Sequence, residues 1–218
     1  MTTPIAEPGA LAARLAAHAG ASSIGVDTEF LRERTYYAQL CLVQLCAADE
    51  CLSIDTLALQ DLSPLQSLLA NAAIVKVLHA ARQDLEVLWP VAGPVRAVYD
   101  TQVAAALTGL PPQTGYAELV SRLLNVQLAK AHTRTDWSRR PLSAEQVEYA
   151  LDDVRYLLPL RDMLDRRLQE LGRSDWFAEE MQEVAAASDY AIDPEIAWQR
   201  LKGLTELDED RRRLAQLL

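Results

Sequence analysis

The chain has 218 residues, half of them apolar and 24% charged, with a formal net charge of -10. That is enough apolar material for one large domain, or one domain with a small appendage. It includes no apolar run approaching the ~20 residues of a membrane span. The acidic balance argues against salt-driven binding along a duplex backbone over a broad basic face. The N-terminus, MTTPIAEPGALAARLAAHAG, lacks the basic start and continuous apolar centre of a secretion signal, so a soluble cytoplasmic protein is expected.

In chain order, residues 8–19 read as an amphipathic helix, with Leu11 and Leu15 four apart. Ser22 to Asp27 reads as a short buried strand, followed by a polar turn at Arg32, Glu33 and Arg34. Gln39–Leu45 and Cys51–Asp55 form an expected hairpin across Asp49-Glu50. Leu62 to Ala70 reads as a helix, with Ser63 as N-cap and Pro64 in the first turn. Ile74–Leu78 is an apolar strand ending at His79, and a helix from Ala80 is expected to stop before Pro90. Val95–Tyr99 reads as a strand, then Asp100–Leu107 and Tyr116–Leu124 as helices.

A long polar loop, Gln127 to Pro141, follows, and such loops inside compact domains are often functional. Basic residues gather there: Lys130, His132, Arg134, Arg139 and Arg140. Ser143 with Gln146 forms a capping box opening a helix that carries Tyr149 and Asp153, with a kink expected at Pro159. A further helix is expected from Trp176 to Ala187, then a linker and a new helical segment from Pro194. Strands first, then strands alternating with helices, imply an α/β domain with a mixed sheet. The three cysteines, Cys41, Cys46 and Cys51, are odd in number and lack C-x-x-C spacing; they read as small buried hydrophobes in a reducing compartment. Three scattered histidines give a zinc site little support.

The candidate chemistry lies in carboxylates at the ends of elements. Residues two apart on a strand face the same way, so Asp27 and Glu29 can share a site while Thr28 faces away. Two carboxylates side by side raise each other's pKa unless a cation offsets them. Asp84 lies in the first turns of a helix, where an acid is also favoured by the helix dipole alone. Tyr149 and Asp153 are four apart and share one helix face, whereas Asp152 lies about 100° round and reads as solvated or part of a surface pair. Each motif alone has an ordinary structural explanation. Together they suggest a two-metal site for phosphodiester hydrolysis, with oxygen ligands that select magnesium or manganese.

Three stretches closely resemble ribonuclease D and the wider DEDD family of 3′–5′ exonucleases: VDTEFLRERTYYAQLCLVQL from Val26, LHAARQDLEVL from Leu78, and RTDWSRRPLSAEQVEYALDDVRYLLPL from Arg134. The likeness spans roughly residues 20–170, and the Y-x-x-x-D spacing of Tyr149 and Asp153 is that of the tyrosine subclass. The resemblance implies an RNase H-like fold, a mixed five-stranded sheet flanked by helices with a helical C-terminal extension. It implies a catalytic domain over 1–187 and a linker with the start of an incomplete helical module over 188–218. It also implies two Mg2+ or Mn2+ ions on Asp27, Glu29, Asp84 and Asp153, with Tyr149 orienting the nucleophilic water. Thr28, Phe30 and His79 would lie by the substrate. Hydrolysis from an RNA 3′ end would release nucleoside 5′-monophosphates, as in the processing of tRNA and other structured RNA, by a protein taken to be a monomer away from membranes. Two alternatives stand beside it: a related exonuclease on single-stranded DNA or short oligonucleotides, and a non-catalytic nucleic-acid-binding scaffold.

Overall fold

A computed structural model of the chain describes residues 3–32, 37–48, 50–129, 135–186, 190 and 209. The apolar stretch Ile24-Gly25-Val26 lies in β1 (Ser23–Leu31), which takes the middle of a five-stranded sheet. The other strands are β2 (Gln39–Ala47), β3 (Glu50–Asp55), β4 (Val75–Leu78) and β5 (Val98–Asp100), in spatial order β3-β2-β1-β4-β5. β1, β2 and β3 pair antiparallel, as a meander with short connections can. β4 and β5 join parallel to β1, each reached through a helix. The sheet is therefore mixed, as the order of strands and helices in the sequence implied.

The helices are α1 (Pro8–His18), α2 (Ser63–Ala70), α3 (Arg82–Ala92), α4 (Thr101–Leu107), α5 (Tyr116–Leu124), α6 (Ala144–Arg155), α7 (Leu157–Glu170) and α8 (Ser174–Val184). The expected capping box opens α6: Gln146 N–H donates to Ser143 Oγ, and Ser143 N–H donates to Gln146 Oε1. Among the described residues no helix is long and apolar enough to cross a membrane. The chain divides into two compact units, Met1–Ala185 and Ala186–Leu218. Apart from Glu209, the helical segment expected from Pro194 lies outside the described residues, as do Glu33, Arg34 and Asp49.

Several local expectations change. α3 runs through Pro90 to Ala92 rather than stopping before it. Proline forfeits one backbone bond near the helix end, and buried Leu85, Leu88 and Ala92 hold that face in place. β5 starts at Val98, later than expected, and Asp100 ends it as the N-cap of α4 rather than as its first helical residue. The N-cap of α2 is Leu62; Ser63 instead donates its N–H to Asp61 Oδ1. Cys46 and Cys51 stand in register on β2 and β3 and are joined as a disulfide, so only Cys41 is the free buried thiol expected of all three.

The long helix expected to kink at Pro159 breaks at Tyr156 instead. The cause is a side chain inserted into the helical ladder. Tyr116 Oη donates to Asp152 O at 3.0 Å and accepts from Tyr156 N–H at 3.2 Å. Those are the two groups of one i→i−4 bond, so the hydroxyl replaces it and bends the chain there.

Gly25 fixes how closely this break approaches the sheet. A Cβ on it would lie 3.0 Å from Val154 O and 3.3 Å from Leu157 Cβ. Gly25→Ala is expected to destabilise the domain by about 1–3 kcal/mol, as overpacking does. Urea unfolding followed by circular dichroism gives that value directly.

Candidate metal centre

The ladder between β1 and β4 runs only from Ser23 to Gly25. Beyond Gly25 the two strands part, next to the point where the sheet changes from antiparallel to parallel. Clefts for ligands form at such places in α/β sheets, outside the carboxyl ends of strands. Asp27 and Glu29 lie on this stretch of β1 and share a face by strand alternation. The face is the one that α6 covers, since Gly25, two residues earlier, abuts Val154. α6 brings Asp153 over them, and one ligand oxygen each from Asp27, Glu29 and Asp153 lies within 4.8 Å of the others.

Asp84 enters from the first turn of α3. Thr28, on the opposite face of β1, is buried and donates its hydroxyl to Asp84 Oδ1 at 2.5 Å. Thr28 thus faces away from Asp27 and Glu29, as alternation requires, and holds the fourth carboxylate. The turn before α3 is fixed by buried Asp100, which accepts from the N–H groups of Ala80 and Ala81 as well as capping α4 through Gln102 N–H. Ala80 has a positive φ of 57°, a conformation that such bonds must over-determine in a residue with a Cβ.

Tyr149 lies one turn before Asp153, and its phenol opposes the rise that burial gives that carboxylate. Asp152 points elsewhere and pairs with Arg155, the surface role read from its position round the helix. His79 is half-buried. Its Nδ1 lies 2.9 Å from Thr101 Oγ1, and its ring meets Tyr116 edge-on at 5.7 Å. His79 therefore packs against the side chain that opens the helix beside Asp153. Phe30 is half-buried at the end of β1, with the Arg32 guanidinium 5.9 Å from its ring centroid and Arg32 paired to Glu86.

Two supporting residues escaped the sequence reading. Trp137 is buried and stacks on Tyr149 at 6.2 Å between centroids. The register shift between Glu29 and Phe30 leaves Cys41 as an extra residue on β2. Cys41 and Leu42 both join Trp137 and Ala150 in one buried cluster. Arg140 ties this region to the sheet. Its Nε and one Nη donate to both oxygens of Asp55 at 2.5 and 2.7 Å, and it also reaches the carbonyls of Trp137 and Cys41. Arg140 is thus a structural clamp rather than a free basic group. Arg139 pairs with Asp136, and Lys130, His132 and Arg134 lie outside the described residues. Tyr116 and Trp137 carried no signal of their own in the sequence beyond being aromatic, because their roles are contacts across the fold.

The electrostatics reflect crowding. Asp27 is pushed well above the usual carboxylate range, first by burial and then by Asp84, Asp153 and Glu29. Glu29 rises to about 8, through burial and then Asp153 and Asp84. Asp84 and Asp153 each rise to about 7, chiefly through burial, against the opposing hydrogen bonds from Thr28 and Tyr149. Burial and the same carboxylates push the Tyr149 phenol up, so it stays protonated near neutrality. Clustered carboxylates of this kind are relieved by a cation, and an all-oxygen donor set suits a hard divalent ion. Asp27, Glu29 and Asp153 fit such an ion, with Asp84 beside them.

Residues 3–169 match the 3′–5′ exonuclease domain family. Ribonuclease D of Nitrobacter hamburgensis is 44% identical over 204 residues, covering 93% of this chain and 53% of that protein. The chain thus spans about half the length of the curated relatives it matches. The crystal structure of Escherichia coli RNase D, an exoribonuclease involved in structured RNA processing, superposes with TM-score 0.91 at 36% identity, covering 100% of this chain and 59% of that one. Brucella melitensis NrnC with bound Mg2+ superposes with TM-score 0.71 at 28% identity, covering 88% and 90%. The chain belongs to the 3′–5′ exonuclease family, with the RNase H-like fold. Within that family it is similar to the ribonuclease D proteins.

The raised carboxylate values set a pH dependence. A carboxylate with a higher pKa folded than unfolded adds stability at low pH, and that stability is lost as pH rises through the folded value. Between pH 6.5 and 8 these groups dominate. His79, held low by burial, and Lys76, lowered to about 8, act in the opposite direction, but only near the lower and upper ends of that window respectively. The melting temperature of the metal-free protein should fall by several degrees from pH 6.5 to 8. Added Mn2+ should flatten that slope in a differential scanning fluorimetry series.

Proposed function

We propose that this domain is a metal-dependent 3′–5′ exoribonuclease that trims RNA 3′ ends and releases nucleoside 5′-monophosphates. The observation that carries this reading is the convergence of Asp27, Glu29 and Asp153 within 4.8 Å, on the central strand where β4 parts from it and on α6. The matching family and the Mg2+-bound neighbour support it.

Asp27, Glu29 and Asp153 would hold a divalent ion, Mg2+ or Mn2+, and Asp84 with Asp27 would serve a second. Bound divalent ions neutralise the carboxylates and stabilise the attacking and leaving oxygens of a phosphodiester displacement. Tyr149 remains a phenol, so it orients rather than abstracts. Its hydroxyl donates to Asp153, and its oxygen can accept from the attacking water. The Trp137 stack limits the swing of that ring. Thr28 keeps Asp84 turned to the site, while Phe30 and His79 line the approach of the terminal nucleotide. Structured RNA, including tRNA precursors in the cytoplasm, is the proposed substrate class, by analogy with the E. coli neighbour.

A second reading is an enzyme of very short oligonucleotides. It is favoured by Brucella melitensis NrnC bound to pGG, 29% identical with TM-score 0.72 and 90% covered by this chain.

A 5′-labelled single-stranded RNA incubated with Mn2+ or Mg2+ should give a ladder that shortens from the 3′ end. Asp27→Ala should give none and yet melt no lower than wild type without metal, since it relieves charge crowding. Tyr149→Phe should slow the ladder roughly 10–100-fold with metal affinity little changed, as expected when a positioning group is lost. Cleavage of dinucleotides alone would select the second reading. No release from RNA, DNA or dinucleotides with either metal would reject both.

A further inference from the structure

The sheet face that carries Asp27 holds a polar rung that the reading above does not use. Asp27 on β1 stands opposite Gln44 on β2, and Gln44 stands opposite Ser53 on β3. Side chains in direct register project from the same face, with Cβ atoms about 4.5–5.5 Å apart. Three polar groups therefore cross three strands in a line beneath α6. Gln44 is completely buried, at 0% exposure, and neither its Nε2 nor its Oε1 has a hydrogen-bond partner. Ser53 Oγ, also buried, has none either.

A buried amide with no hydrogen-bond partner destabilises the fold. Its neighbours two residues away along β2 are buried Leu42 and Cys46, so local packing asks for an apolar side chain. A leucine would fill nearly the same volume without the penalty. Residues that break a local rule at a stability cost are found where function requires them. Here the ionisable group in direct register with the amide is Asp27.

We infer that Gln44 is a positioning residue for Asp27: its Nε2 donates to the Asp27 carboxylate in the metal-loaded site, and its Oε1 accepts from the Ser53 hydroxyl. A carboxylate offers about four lone-pair directions. One bond from the sheet side fixes the carboxylate plane and leaves the other directions to the cleft, where the ions bind. Both orphaned amide atoms and the serine hydroxyl are then satisfied by one arrangement. This rests on the reading of Asp27 as a metal ligand.

The test is manganese titration by calorimetry, with thermal melts, on the full chain and on Gln44→Leu, Gln44→Met and Asp27→Ala. Gln44→Leu should melt at or above wild type without metal, yet bind Mn2+ about 10–100-fold more weakly, the usual effect of losing a partner of a metal ligand. Its metal-induced rise in melting temperature should shrink accordingly. A purely structural glutamine gives the other pattern, a lower metal-free melt with unchanged Mn2+ affinity, and that result overturns the inference. Should Gln44→Leu misfold, the unbranched Gln44→Met is read by the same two numbers. Loss of binding in Asp27→Ala with wild-type affinity in both Gln44 variants would retain the metal site and reject the role of Gln44. Wild type that binds no Mn2+ would reject the metal site itself, and the inference with it.

Discussion

Mutual repulsion among Asp27, Glu29, Asp84 and Asp153 is the constraint on which the rest of this structure depends. Each carboxylate is driven above its ordinary pKa by burial, and Asp27 and Glu29 also by the other acids. Side chains on an exposed loop would swing apart. Here the acids project from three rigid supports. Asp27 and Glu29 sit on the central strand, Asp84 on the first turn of α3, and Asp153 on α6. The framework is what makes the crowding persist until a cation offsets it.

The supports form two sets. On the β4 side, Asp100 gathers three backbone N–H groups and so fixes both the turn into α3 and the start of α4, while Thr28 pins Asp84. On the β2 side, Arg140 binds Asp55 with two nitrogens and holds the Trp137 carbonyl, and Trp137 stacks on Tyr149. Between them Tyr116 occupies one bond of the helical ladder, one residue from Asp153. The placement of Asp153 therefore depends on a residue from α5, and that of Tyr149 on a loop that precedes its own helix.

Burial and polarity conflict at several points of the same region. Lys76 is buried and satisfied only by the carbonyls of Asn71 and Ile74. Gln44 and Ser53 are buried with nothing to bond. Lys76 is remote in the register from the acids and bonds only within the connection from α2 to β4, which is a structural use. Gln44 stands beside Asp27, and that proximity separates it from the ordinary buried polar group.

The sequence by itself determined the order and type of the elements, because hydrophobic period, proline and cap signals act over a few residues. Ser143 with Gln146, and the alternation at Asp27-Thr28-Glu29, are local in this sense. The candidate acids and Tyr149 were legible too, through spacing within single elements and the family resemblance. Only the tertiary structure decided the rest. The break at Tyr156 rather than Pro159 needs Tyr116, forty residues away. Arg140 reads as one of several basic residues in a polar loop until it meets Asp55, eighty-five residues distant. The pairing of Cys46 with Cys51 follows from hairpin register rather than from cysteine spacing alone. These are contacts between separate elements, and local patterns of charge and hydrophobicity do not encode which partner a side chain will meet.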